Sequence, residues 1–256
     1  MAEVEARGLR FHVQTLGPDD GPTLVFVHGL VMDNLSSFYY TLAAPLAAKG
    51  VRTILFDLRG HGLSARPSSG YTPHDSALDL LAILDALGIR TPVYLLGNSY
   101  GGVVAMRTAL ADPYRVAGVV VVEAACGGIV GDLWFEDMVN TLTVAALGLE
   151  FDRTQDQLKA LGQRKIARLA GNASELLNGT TLIDDLGSGP HLADLAAVTC
   201  PVLGVFGAES TLIGAAAELA ERIPDCRLHV VSGLGHTVLR EATGELLDTV
   251  LDWLRV

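Results

Sequence analysis

Short apolar runs rich in β-branched residues alternate along this chain with stretches of helical periodicity, and that alternation constrains the fold more than any other feature. The runs at 23–28, 52–57, 92–97, 116–123, 201–207 and 227–231 are bounded by Gly, Asp or Pro and predict strands. The stretches at 37–49, 74–87, 99–111 and 241–254 predict helices. Strand and helix in turn imply right-handed βαβ crossovers, so the expected architecture is α/β, a mainly parallel sheet flanked by helices. Such a sheet buries both faces, and a chain of 256 residues that is 50% hydrophobic and 18% charged can supply that core.

The rhythm breaks between Cys126 and Ala197, where a long helical and polar segment replaces a single crossover. We read 1–125 and 198–256 as the core and 126–197 as an inserted helical cap, with Gly187-Ser188-Gly189-Pro190 as its exit turn. Ligands of open α/β sheets bind beyond the carboxyl ends of the strands, so an insertion leaving such an end roofs the site. Trp134, Phe135 and Met138 in that segment are candidate substrate-lining residues.

A net charge of −11 opposes phosphate binding, so nucleic acid is not an expected partner. Cys126, Cys200 and Cys226 are odd in number and widely spaced, which argues against a disulfide framework and a zinc site. The expected setting is a reducing cytoplasm, with no metal and no cofactor. The opening Met-Ala-Glu-Val-Glu-Ala-Arg has no targeting pattern and no run approaches a membrane span, so no membrane partner is expected. The expected partner is a small-molecule substrate; composition leaves the oligomeric state open.

After the apolar run Val93-Tyr94-Leu95-Leu96 comes Gly97-Asn98-Ser99-Tyr100-Gly101-Gly102 and then a helix-like run. This is GxSxG in the strand-to-helix context that a nucleophilic serine requires: small neighbours allow a tight, strained turn that thrusts Oγ out above the sheet beside a helix N-terminus. A serine hydroxyl needs an adjacent base, normally imidazole. Of seven histidines, His236 lies in the Gly-rich loop after the last predicted strand and follows both the serine and every candidate acid. His12, His74, His191 and His229 read as bystanders, and His61 as part of a hydrogen-bonded turn. The main-chain N–H groups of Tyr100 and Leu30 are the candidate oxyanion donors, with His28 bracing the second loop.

These segments together resemble the α/β-hydrolase superfamily: His28-Gly29, the stretch 57–64, Gly97 to Gly102 and Gly235-His236 match its motifs in order. The resemblance implies an α/β-hydrolase fold and serine chemistry at Ser99. Members with an aspartate nucleophile, such as haloalkane dehalogenases and epoxide hydrolases, are excluded by Ser99. The sequence departs from the family at the acid. Its common position, three residues beyond the glycine ending the strand at Gly207, holds Ser210, with Glu209 beside it. The strand Val119-Val120-Val121-Val122 instead ends in Glu123, an arrangement that resembles zearalenone-type lactonases. A carboxylate at the tip of an apolar strand is costly to bury unless paired, and His236 is a sensible partner. Glu123 is therefore the first candidate acid and Glu209 the alternative. The resemblance implies hydrolysis of a carboxylic ester or lactone through an acyl-enzyme; it also admits carbon–carbon bond hydrolysis of diketone-like substrates, or a slow or non-catalytic ligand receptor on the same fold.

Overall fold

The computed structural model describes residues 2–151, 164–188 and 194–256. Among the described residues eight strands, numbered in chain order with the ranges given next, form one sheet in the order β1-β2-β4-β3-β5-β6-β7-β8. β3 (Thr23–Val27), β4 (Arg52–Phe56), β5 (Val93–Asn98), β6 (Val116–Val122), β7 (Val202–Gly207) and β8 (Cys226–Val231) pair in parallel. The six predicted strands are these, each within a residue or two. β1 (Ala2–Ala6) and β2 (Leu9–Leu16) add an antiparallel edge against β4 that the sequence reading missed. Its signal was present: Phe11 and Val13 alternate with polar residues and are fully buried.

Alternation along the strands divides the interior in two. Val25, Val27, Val119 and Val121 face one core, closed by the helices Pro73–Ala86 and Tyr100–Ala111. Leu24, Phe26, Val120 and Val122 face the other, closed by Phe38, Leu42 and Leu46 and by the helix Thr243–Leu254. This is the period-2 logic of a sheet buried on both sides. The predicted helix over 37–49 is broken into Ser36–Phe38, a π-helical turn Tyr39–Ala43 and Ala44–Ala48. A further helix, Ile213–Arg222, was not read from the sequence although it buries Ala215, Ala216 and Leu219 on one face.

Between β6 and β7 run the helices Gly128–Phe151, Arg164–Gly179 and Leu182–Gly187. Phe135, Leu176 and Leu182 pack into the first core. Of the exit turn, Gly189 and Pro190 lie outside the described residues, as does His191. Among the described residues no helix is long and apolar enough to cross a membrane.

The strand order reverses between β3 and β5, since β4 lies on one side of that pair and β6 on the other. Chains leaving the carboxyl ends of these two strands diverge there and open a crevice. The turn after β5 is tight enough to dictate glycine. A Cβ on Gly101 would stand 2.0 Å from the carbonyl oxygen of Val27, and one on Gly97 would stand 2.1 Å from that of Gly101. We expect Gly101→Ala to lower unfolding free energy by about 3 kcal/mol, because the clash is with backbone that has nowhere to move. Gly148→Ala, in a helix with open space around the new methyl, should raise it by roughly 0.5–1 kcal/mol. Urea unfolding of the two variants checks both signs.

Candidate active site

Three loops leave the carboxyl ends of β3, β5 and β6, and each carries a non-glycine residue in the positive-φ region: Val31 at 63°, Ser99 at 54° and Glu123 at 50°. Strain of this kind persists only where the surroundings over-determine it. At Ser99 the determinants are visible. Its N–H donates to the Val122 carbonyl at 2.9 Å, and its own carbonyl accepts the Gly102 N–H at 2.8 Å, which starts the helix Tyr100–Ala111. Ser99 is thus the residue at which strand becomes helix, with the positive end of that helix beside it.

Glu123 follows β6 directly, and its N–H donates to the Val205 carbonyl at 3.0 Å. Its side chain is 0% exposed. Each of its oxygens is nevertheless occupied: the Gly207 N–H donates to Oε1 at 2.5 Å, the Ser210 hydroxyl to Oε2 at 2.6 Å, and His236 Nδ1–H to the same Oε2 at 3.0 Å. The His236 ring is half-exposed at 48%. One nitrogen is therefore tied to a buried carboxylate, which fixes the tautomer and leaves Nε2 as an acceptor. Glu209 is exposed, and its carboxylate has no hydrogen-bond or ion-pair partner among the described residues. The structure thus brings Glu123, and not Glu209, to His236. Ser99 Oγ and His236 are not hydrogen-bonded to each other; nucleophile–base contacts of unliganded sites are commonly long and close on binding.

The loop after β3 is held by two buried imidazoles. His28 Nδ1–H donates to the Gly29 carbonyl at 2.7 Å and its Nε2 accepts the Leu58 N–H at 3.0 Å. His61 Nδ1–H donates to the Arg59 carbonyl at 2.9 Å while its Nε2 accepts the Val31 N–H at 2.8 Å. The Gly29 N–H is taken by Asp33 at 2.8 Å. The N–H groups on either side of Leu30 are thereby consumed. That of Leu30 meets no acceptor among the described residues, nor does that of Tyr100 at the first turn of its helix. Asp57, almost fully buried, accepts the Leu35 N–H, the Leu63 N–H and His12 Nδ1–H, each at 2.9 Å, and so locks the loop that presents His61. Of the other histidines, His229 pairs with Glu245 at 2.7 Å.

A cleft of about 640 Å³ opens beside the imidazole, with Leu30, Met32, Asn98, His236, Thr237 and Arg240 in its walls. The sequence reading did not single out Met32 or Arg240; Asn98 entered it only within the Gly-Asn-Ser-x-Gly-Gly pattern, through its resemblance to carbon–carbon hydrolases. Trp134 and Phe135 lie edge to face with ring centroids 6.4 Å apart, Phe135 buried and Trp134 and Met138 partly buried against the first core. Among the described residues no three His, Cys, Asp or Glu side chains are grouped to hold a metal ion.

The comparisons agree with this architecture. A sequence model of the alpha/beta hydrolase family matches residues 24–249, and the chain belongs to that family. It is similar to the magnesium-chelatase 30 kDa subunit of Rhodobacter capsulatus, 28% identical over 93% of this chain and 88% of that one. It is also similar to a 2-hydroxy-6-oxononadienedioate/2-hydroxy-6-oxononatrienedioate hydrolase of Pseudomonas putida, 27% identical over 96% and 92%. Among solved structures, the esterase EaEST of Exiguobacterium antarcticum superposes with a TM-score of 0.78 at 22% identity, covering 100% of this chain and 99% of that one. The enol-lactonase of Burkholderia xenovorans LB400 superposes with a TM-score of 0.76 at 20% identity, covering all of both chains. At these identities the solved structures speak for the fold alone, and it is the family match that places the chain among the alpha/beta hydrolases.

Burial pushes the His61 imidazole down to about 3, with neighbouring His28 adding to the effect; His28 is lowered too, chiefly by burial. Between the ordinary value of 6.5 and about 3, the unfolded chain carries a proton on His61 that the folded one does not. The stability this contributes is whole above pH 6.5 and is lost as pH falls toward 3. Lowering pH from 7.5 to 5 should therefore destabilise the wild type by about 2 kcal/mol more than His61→Gln, read as the difference between their urea-unfolding free energies at the two pH values.

Proposed function

We propose that this protein is a serine hydrolase that cleaves carboxylic esters or lactones through an acyl-enzyme on Ser99. The observation that carries the reading is the hydrogen bond from His236 to the fully buried Glu123, made beside a strained serine at the mouth of the strand-order reversal. An imidazole so anchored can accept one proton at Nε2 and be stabilised as imidazolium while it holds it.

The chemistry then runs in two halves. Ser99 Oγ attacks the substrate carbonyl carbon as its proton passes to His236 Nε2, and the carbonyl oxygen becomes an oxyanion held by the Leu30 and Tyr100 N–H groups. Collapse expels the alkoxide, which takes the proton from His236. Water next attacks the acyl carbon, losing its proton to His236, and the second collapse returns that proton to Ser99 and frees the acid. In a lactone the alcohol formed in the first half remains part of the acyl chain, and the second half releases both together as one hydroxy acid. Glu123 accepts His236 Nδ1–H throughout. The cleft of about 640 Å³ is of the size that encloses a small molecule.

A second reading, hydrolysis of a carbon–carbon bond in a diketone-like substrate, draws on Gly97-Asn98-Ser99 followed by Gly101-Gly102 and on the similarity to the Pseudomonas putida hydrolase. Steady-state assays with p-nitrophenyl esters, simple lactones and a vinylogous diketone separate the two. We expect turnover of the first two classes only; turnover confined to the diketone reverses the order. Ser99→Ala should abolish acyl-enzyme formation, and Glu123→Gln should lower kcat by about 10³- to 10⁴-fold. Glu209→Gln should stay within about twofold of wild type, as an exposed substitution. A severe loss in Glu209→Gln with Glu123→Gln near wild type contradicts the assignment.

A further inference from the structure

We propose that Ser210 is a positioning residue for the reaction: its buried hydroxyl aims Glu123 Oε2 at His236. The proposal rests on the reading of Glu123 as the acid that partners His236. Ser210 is 5% exposed and sits in the turn after β7, its N–H bonded to the Gly207 carbonyl at 3.1 Å. Its Oγ accepts the Leu212 N–H at 3.1 Å and lies 2.6 Å from Glu123 Oε2. A hydroxyl that already accepts one N–H directs its single proton to the remaining acceptor, so Ser210 donates to the carboxylate. The same turn supplies the Gly207 N–H to Oε1. Two donors from one rigid turn thus fix the carboxylate plane, and the open lone pair of Oε2 is left facing His236 Nδ1–H at 3.0 Å.

Glu reaches His236 through a side chain with three rotatable bonds, one more than a shorter acid has to immobilise. The backbone at Glu123, at φ 50°, fixes only where that side chain starts. The hydroxyl also explains why position 210 carries no acid here. A carboxylate at the place of Oγ would stand against that of Glu123, and two such groups in contact cannot both ionise. In this chain position 210 therefore holds a neutral donor, matched to a carboxylate arriving from the neighbouring strand.

The test compares Ser210→Ala, Ser210→Cys and Ser210→Thr with Glu123→Gln in the full chain, using a p-nitrophenyl ester the wild type turns over. Losing a charge-assisted hydrogen bond should lower kcat about tenfold in Ser210→Ala while KM stays within about twofold. Ser210→Cys, of nearly the same shape but a weak donor, should fall in the same direction and keeps the test decisive if the alanine variant does not fold. Ser210→Thr, which retains the hydroxyl, should recover most of kcat. The His236 Nδ1 proton resonance should broaden or move in the first two variants and not in the third, an effect that a merely structural serine would not produce. Wild-type kcat and an unchanged resonance in Ser210→Ala or Ser210→Cys, with Glu123→Gln crippled, overturn this proposal and leave the acid assignment standing. A Glu123→Gln variant as active as wild type removes that assignment and this proposal together.

Discussion

A carboxylate sealed from solvent is the constraint on which the site depends. Glu123 ends an all-valine run of β6 and has no exposed surface. A lone charge there would cost several kcal/mol, so its surroundings must be built to answer it. The turn after β7 brings a backbone N–H and a hydroxyl, and the loop after β8 brings an imidazole. Loops far apart in sequence are thereby fastened at one point. The arrangement that satisfies the charge also fixes the tautomer of the ring, so the requirement of stability and the proposed requirement of catalysis meet in the same contacts.

Around that point the backbone is held against its preferences. Val31, Ser99 and Glu123 all take positive φ, at the ends of the neighbouring strands β3, β5 and β6. Each such residue costs on the order of 1–3 kcal/mol and must be sustained by its neighbours. Val31 is sustained by His61, Ser99 by Val122 and Gly102, and Glu123 by Val205 and its side-chain donors. The neutral, buried His28 and His61 are part of the same support: each gives one proton to a carbonyl and takes one N–H, a balance that a charged ring would break. The consequence is a loop in which the Leu30 N–H, between two consumed neighbours, is left without an acceptor among the described residues, as is that of Tyr100.

What could be read beforehand was what local chemistry dictates. The parallel strands announced themselves as apolar runs, and Ser99 and His236 as short Gly-rich patterns in the right order. Glu123 was legible because a charged residue closing an apolar strand demands a partner. Ser210 was noticed as a departure from the family, but its hydroxyl acquires meaning only when the turn after β7 is laid against the end of β6, which no local pattern encodes. The β2 strand itself was legible in the alternation about Phe11 and Val13, but its pairing with β4, across some forty residues of chain, was not. Trp134, Phe135 and Met138 were read for a pocket by residue type. Their packing against the first core shows that bulk alone does not distinguish a lining residue from a core residue.

The most direct measurement is a crystal structure of the protein after reaction with an alkyl fluorophosphonate, whose phosphoryl oxygen stands in for the oxyanion of an ester or lactone. The account predicts phosphorus bonded to Ser99 Oγ, that oxygen within hydrogen-bond distance of the Leu30 and Tyr100 N–H groups, and His236 Nδ1 still on Glu123. A phosphorylated residue other than Ser99, or an oxygen turned away from both N–H groups with the His236–Glu123 bond broken, would contradict it.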